Sequence, residues 1–202
     1  MQQALNILND ERIDMLIRIA LFHYMFGYIH PFYDGNGRTS RFISSLLLST
    51  QLEAITSYQL SYTIKQQLSM YYKAFEHCND SRSRGDITEF VHMFLSMIQN
   101  AQNEIIEHLS ARYREWEQLF ESFVLTYSTD KTTVTILDLL LQAALFSEDG
   151  ITVNELAPIC SCSENTVRAR LNELKKSDLI LTNTIKRVKY YRLDLDKIEK
   201  HE

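Results

Sequence analysis

His30-Pro31-Phe32-Tyr33-Asp34-Gly35-Asn36-Gly37-Arg38-Thr39-Ser40-Arg41 is the stretch that decides how this chain is read. Gly35-Asn36-Gly37 allows a tight turn and a close approach of backbone to a ligand. Placed at the mouth of a helix opening near Gly37, its N–H groups form a nest for phosphate. Arg38 and Arg41 lie three apart on that helix, hence on one face, and supply two guanidinium forks for phosphate oxygens. Asp34 is a lone carboxylate beside the anion site, the usual protein share of a Mg²⁺ held otherwise by phosphates and water. His30 carries the one side-chain type whose ordinary pKa is near neutrality, which makes it a natural general base for an incoming hydroxyl. Taken singly, these are a turn, a solvated helix face and a packed histidine. In fixed order over twelve residues they describe a phosphate site beside a proton acceptor.

Working outward, apolar residues at Ile13, Leu16, Ile17, Ala20, Leu21, Tyr24, Met25 and Tyr28 predict a helix over Asp10–Ile29, capped by Asp10. Pro31 should end it, leaving His30 at a helix exit. The helix after the turn runs through Phe42, Ile43, Leu46 and Leu47, and a third covers roughly residues 61–77. Residues 79–85 read as a polar, basic loop. Asp86 and Glu89 have capping-box spacing. They open a stripe from Phe90 to Phe123 that predicts one connecting helix of about 40 residues, roughly 60 Å long, or two with a break at Asn100–Asn103.

Composition narrows the class. The chain has 202 residues, five Gly and two Pro, which favours helices over a many-stranded sheet. A net charge of −5 means that any nucleic-acid binding must be local. Cys78, Cys160 and Cys162 are odd in number and suit free thiols in a reducing compartment better than a disulfide framework or a zinc site. Residues 1–10 lack the pattern of a signal peptide, and no apolar run reaches the roughly 20 residues of a membrane span. The expectation is a cytoplasmic protein with no membrane partner.

A polar stretch at Ser128–Thr133 marks a boundary, with domains over 1–128 and 129–202. Beyond it, a helix over Val134–Phe146 precedes a capping box at Thr152–Glu155. Next come the turn Ser161-Cys162-Ser163 and a helix over Glu164–Lys176 capped by Ser163. Two β-leaning runs follow, Leu179–Thr184 and Val188–Leu193, joined by Ile185-Lys186-Arg187. This is the pattern of a winged helix. Between Ser163 and Arg192 eight basic residues face three acidic ones. Arg168, Arg170, Lys175, Lys186 and Arg187 are therefore candidates for contacts with duplex DNA, and Asn165, Thr166 and Arg168 for base edges. The competing reading is a protein-binding module.

His30–Arg41 resembles the Fic motif, His-x-Phe-x-Asp/Glu-Gly-Asn-Gly-Arg-x-x-Arg, at every specified position, and the resemblance extends over about residues 10–125. It implies a mainly α protein, an all-helical Fic core joined by the long helix to the small winged-helix domain. It also implies a protein adenylyltransferase that moves AMP from ATP, with Mg²⁺, to a Ser, Thr or Tyr hydroxyl of a target protein. In that reading His30 is the base, Phe32 anchors the loop in the core and Asp34 binds the metal. Gly35, Asn36 and Gly37 form the anion hole, and Arg38 and Arg41 hold the β- and γ-phosphates. The spacing of Tyr71, Tyr72 and Asn79 matches residues that flank adenine and ribose in relatives with a C-terminal winged helix. Gly37, where phosphorylating relatives carry Lys, favours AMP transfer.

Two departures accompany the resemblance. Only ten residues precede the first expected helix, so the β-hairpin flap of the family is expected to be missing or to lie upstream. The inhibitory pattern Ser/Thr-x-x-x-Glu-Gly/Asn has no match, since Ser49–Glu53 is followed by Ala54. The rival readings are a DNA-binding regulator that senses a nucleotide without turnover, and removal of AMP from a modified target. A second copy of the chain is a further candidate partner.

Overall fold

The computed structural model describes residues 1–124 and 130–198. Its elements are α1 (Gln2–Leu8), α2 (Met15–Ile29), α3 (Asn36–Leu48), α4 (Ala54–Gln66), α5 (Leu68–Asn79), α6 (Thr88–Leu119), α7 (Lys131–Phe146), β1 (Ile151–Thr152), α8 (Val153–Ile159), α9 (Glu164–Lys175), β2 (Ile180–Ile185), β3 (Val188–Leu193) and α10 (Leu195–Ile198). The fold is mainly α, with one small sheet near the C-terminus. The chain forms two compact units, Met1–His108 and Leu109–Glu202, dividing within α6. The boundary expected at Ser128 lies outside the described residues.

In the first unit the core joins Ile19, Ala20 and Tyr24 of α2 to Leu48 of α3, Leu60 and Ile64 of α4, Tyr71 and Ala74 of α5, and Phe90, Phe94 and Met97 of α6. Ala4 of α1 packs with Phe22 and Phe26. Helix α2 starts four residues later than its apolar rhythm suggests. The side chain of Asp14 accepts from the Leu16 N–H as the cap, while Asp10 pairs with Arg12 instead. Its buried face also differs from the predicted stripe. Phe22, His23 and Phe26 go inside, and Tyr28 is 67% exposed, because the helix is enclosed on more than one side.

The segment expected as one helix over 61–77 is two, α4 and α5, parted at Gln67, whose backbone leaves the helical region. No Gly or Pro announces that break. The proposed Asp86–Glu89 capping box is half made. Asp86 Oδ1 accepts from the Thr88 N–H, but Glu89 turns to His77 Nδ1 at 2.8 Å. Helix α6 passes through Asn100–Asn103 without a break and continues to Leu119, after which Phe120–Val124 widens into a π-turn.

In the second unit, Ile136, Leu137, Leu140 and Leu141 of α7 are buried against Val153, Leu156, Val167, Leu171, Tyr191 and Leu193. The Thr152–Glu155 capping box and the Ser163 cap are both formed. Strands β2 and β3 make an antiparallel hairpin in which Ile185 faces Val188. Lys186 and Arg187 between them both have positive φ, the two-residue turn that suits strand twist. The short strand β1, unforeseen in the sequence, pairs with β3, giving the order β1-β3-β2.

Candidate functional site

The motif sits where α2 ends and α3 begins. His30 is the C-cap of α2. It adopts the left-handed conformation at φ 51°, donates its backbone N–H to Phe26 O, and is exposed. The loop that follows is held by Asn36, which is 3% exposed. Its Oδ1 accepts from the Phe32 N–H at 2.9 Å and its Nδ2 donates to Phe32 O at 2.6 Å. The resemblance implies that Phe32 anchors the loop in the core, but its ring is 52% exposed and lies tilted against Phe26 at 6.0 Å between ring centres. The loop is pinned by the buried amide instead, because two backbone hydrogen bonds fix it more firmly than one half-covered ring.

Gly35 is the N-cap of α3 at φ 81°, a conformation that costs a residue with a Cβ dearly. No side chain caps this helix and no acidic residue lies in its first turn. Its leading N–H groups and the positive end of its dipole therefore face outward, the arrangement that attracts an anion. Gly37 follows for a different reason. A Cβ there would lie 3.3 Å from Arg41 Nη1, so the missing side chain lets that guanidinium fold back over the turn.

Arg38 Nη2 donates to Asp34 Oδ2 at 3.3 Å, and both side chains are largely exposed. Such a pair contributes little to stability and separates readily. Asp34 Oδ1 also accepts from the Gly35 N–H at 2.6 Å, so its carboxylate is set at the lip of the helix. Among the described residues no group of three or more His, Cys, Asp and Glu is arranged to hold a metal alone. One exposed carboxylate beside an anion site is the donor set that fits a Mg²⁺ carried mainly by phosphate and water. An open groove of about 460 Å³ adjoins the arginines, lined by Arg38, Arg41, Phe42, Ser45, Tyr58 and Ser61. A larger one of about 640 Å³, between α5 and α6, contains no motif residue.

Of the three residues implied for adenine and ribose, Tyr72 is 61% exposed and Asn79 is exposed, whereas Tyr71 is only 4% exposed. Tyr71 sits edge-on to Tyr72, Phe75 and Phe90. Burial pushes its hydroxyl up to about 12. Asn79 Oδ1 accepts from the Tyr24 hydroxyl at 2.7 Å. Sequence reading overlooked His23, which is fully buried directly beneath α3. The only signal was an imidazole among the apolar residues of Phe22–Phe26.

The candidate DNA contacts are dispersed among internal bonds. Thr166 is taken up by the Ser163 cap, Arg168 pairs with Glu164 at 2.8 Å, and Arg170 bridges Asp130 and Glu173. Lys175 lies 5.1 Å from the centre of the Tyr191 ring, and its pKa is lowered by burial and by neighbouring Lys189. Asn165, Lys186 and Arg187 are exposed.

Comparison with known proteins falls on the same region. The sequence profile of the Fic/DOC family matches residues 1–48. Over 94 residues, 45% of this chain, the sequence is 40% identical to "Protein adenylyltransferase Fic" of Drosophila erecta and 39% identical to its namesake in Drosophila grimshawi. The chain spans under a fifth of these relatives, 17% and 18% of their lengths. In three dimensions it is similar to a Fic family protein from Desulfovibrio desulfuricans G20, with a TM-score of 0.50 and 22% identity, over 95% of this chain and 53% of that one. That likeness speaks to the fold.

Proposed function

We propose that this chain, a Fic domain protein, transfers the AMP moiety of ATP to a hydroxyl of a target protein. The observation that carries the reading is the start of α3. Its N-terminus has no side-chain cap and is entered through Gly35, Arg41 is folded over Gly37, and Asp34 and His30 flank it. The N–H groups of the turn and both guanidinium groups take the phosphate oxygens. Asp34 would hold Mg²⁺, which, when bound, neutralises charge on the bridging phosphates. His30 accepts the proton of the target hydroxyl as its oxygen attacks the α-phosphorus. The bond from that phosphorus to the bridging oxygen breaks, and pyrophosphate leaves with the electron pair. The named Drosophila relatives support the choice of AMP transfer over other phosphate chemistry.

Incubation with ATP labelled at the α-phosphate tests this, with a protein extract as acceptor. Label on protein with wild type and not with His30→Ala is expected. Equal labelling by both would overturn the role of His30, and no labelling with bound ATP would favour a nucleotide sensor. Duplex DNA as a partner of the second unit is a separate proposal. It rests on the exposed hairpin turn at Lys186 and Arg187 and on Asn165. A mobility shift at low salt that is lost at higher salt supports it, and no shift at low salt overturns it.

No helix among the described residues is long and apolar enough to cross a membrane.

A further inference from the structure

Under the motif helix lies a polar cluster that the phosphate site itself does not use. His23 of α2, with no exposed surface, has Nδ1 2.8 Å from Ser44 Oγ of α3 and Nε2 2.8 Å from Tyr71 Oη of α5. Phe90 and Phe94 of α6 pack on its ring and Tyr71 meets it edge-on. The next residue, Tyr24, donates to Asn79 at the far end of α5. Two adjacent residues of the helix that ends in His30 thus grip α5 at both Tyr71 and Asn79. The same imidazole reaches α3 at Ser44, one turn beyond Arg41.

A neutral imidazole has one donor and one acceptor, and a hydroxyl can take either part, so both ring nitrogens are satisfied here. The charged form is opposed first by burial and then by the like charge of Arg41, which together hold the His23 pKa down to about 3. An apolar side chain would fill the same space without any need to satisfy two hydroxyls. What the imidazole adds is direction, because a hydrogen bond to each neighbour fixes rotation and register where apolar packing does not.

We propose that His23 is a positioning residue that holds the phosphate-gripping helix α3 and the nucleoside-side helix α5 in one register, with Tyr24 as its companion at Asn79. A directional consequence follows. The bond from Tyr24 fixes the plane of the Asn79 amide and leaves its two Nδ2 donors and the second lone pair of Oδ1 in a set direction. This rests on the AMP-transfer reading only in taking α5 as the nucleoside side.

Two measurements test it. The first needs no nucleotide: the ¹⁵N-resolved imidazole spectrum of the whole chain. His23 should show one neutral tautomer between pH 5 and 8, and a spectrum changed by Tyr71→Phe. A His23 ring that titrates near neutrality, or is indifferent to Tyr71→Phe, overturns the proposal. The second measures ATP affinity by calorimetry with Mg²⁺, and transfer kinetics. His23→Leu should weaken ATP about tenfold, the worth of one well-made buried hydrogen bond. His23→Gln, which can reach Tyr71, should recover to within about threefold. Tyr71→Phe should cost less in the His23→Leu background than in wild type, the signature of a shared interaction. Tyr24→Phe should raise KM for ATP with kcat unchanged, as loss of uniform binding does. ATP affinity within twofold of wild type in a folded His23→Leu chain overturns the proposal, and if that variant does not fold, His23→Gln and Tyr71→Phe carry the test. A wild-type chain that binds no ATP overturns the AMP-transfer reading instead, and the imidazole spectrum still decides the state of His23.

Discussion

Two arginine-bearing helices invite comparison, α3 in the first unit and α9 in the second. Both open after a turn, and both place two arginines within their first two turns. At α9 the N-terminus is capped by Ser163, Arg168 has an exposed 2.8 Å pair with Glu164, and Arg170 is held between Asp130 and Glu173. At α3 the N-terminus has no side-chain cap, Arg38 has only an exposed 3.3 Å pair, and Arg41 lies over a glycine. Equal charge counts therefore do not mean equal readiness for an anion. What distinguishes a ligand site is polar capacity that the fold leaves unspent.

The sharpest way to break this comparison is at the chemistry itself. His30→Ala should lower AMP transfer by roughly 10²–10⁴-fold, the usual range for a general base, in a labelling time course. The same loss of activity from Arg168→Ala would refute the contrast between the two helices.

Acid should act next, through what lies under α3 and not through α9. The native state holds His23 neutral down to about pH 3, whereas an unfolded chain takes up a proton near the ordinary imidazole value of about 6.5. Its contribution is complete above that value and is lost as pH falls toward 3. Denaturant titrations of wild type should show stability falling by up to ~1.4 kcal/mol per pH unit more steeply than in His23→Gln. Parallel slopes would contradict this.

Asn36→Ala removes two hydrogen bonds that pin the motif loop, and should cost about 2 kcal/mol together with nucleotide affinity, read by melting and calorimetry. Ser163→Ala, the matching change at α9, should cost about 1 kcal/mol and leave ATP binding unchanged. Smallest is Arg168→Ala, within about 0.5 kcal/mol by denaturant titration, since its partner Glu164 is exposed and i,i+4 pairs are weak.

Much was legible beforehand because it depends on neighbours in sequence. The turn at Gly35, the exit of α2 at His30, the Thr152 capping box, the Ser163 cap and the β2–β3 hairpin all follow from short-range geometry, and all are present. Two of the differences lie where the choice was between equivalent local partners. Asp10 and Asp14 can each cap α2, and Glu89 can serve a capping box or His77. Only the packed chain decides which is nearer.

The sequence by itself determined that His30, Asp34, two glycines and two arginines share one loop and one helix start, because their spacing leaves no other arrangement once Pro31 ends the helix before them. Tertiary structure alone decided that Asn36 is buried and that His23 joins three helices. The physical reason is range. Caps and turns are settled within four residues, whereas burial and the pairing of polar groups depend on segments that meet only after folding: Ser44 lies 21 residues from His23, and Tyr71 lies 48.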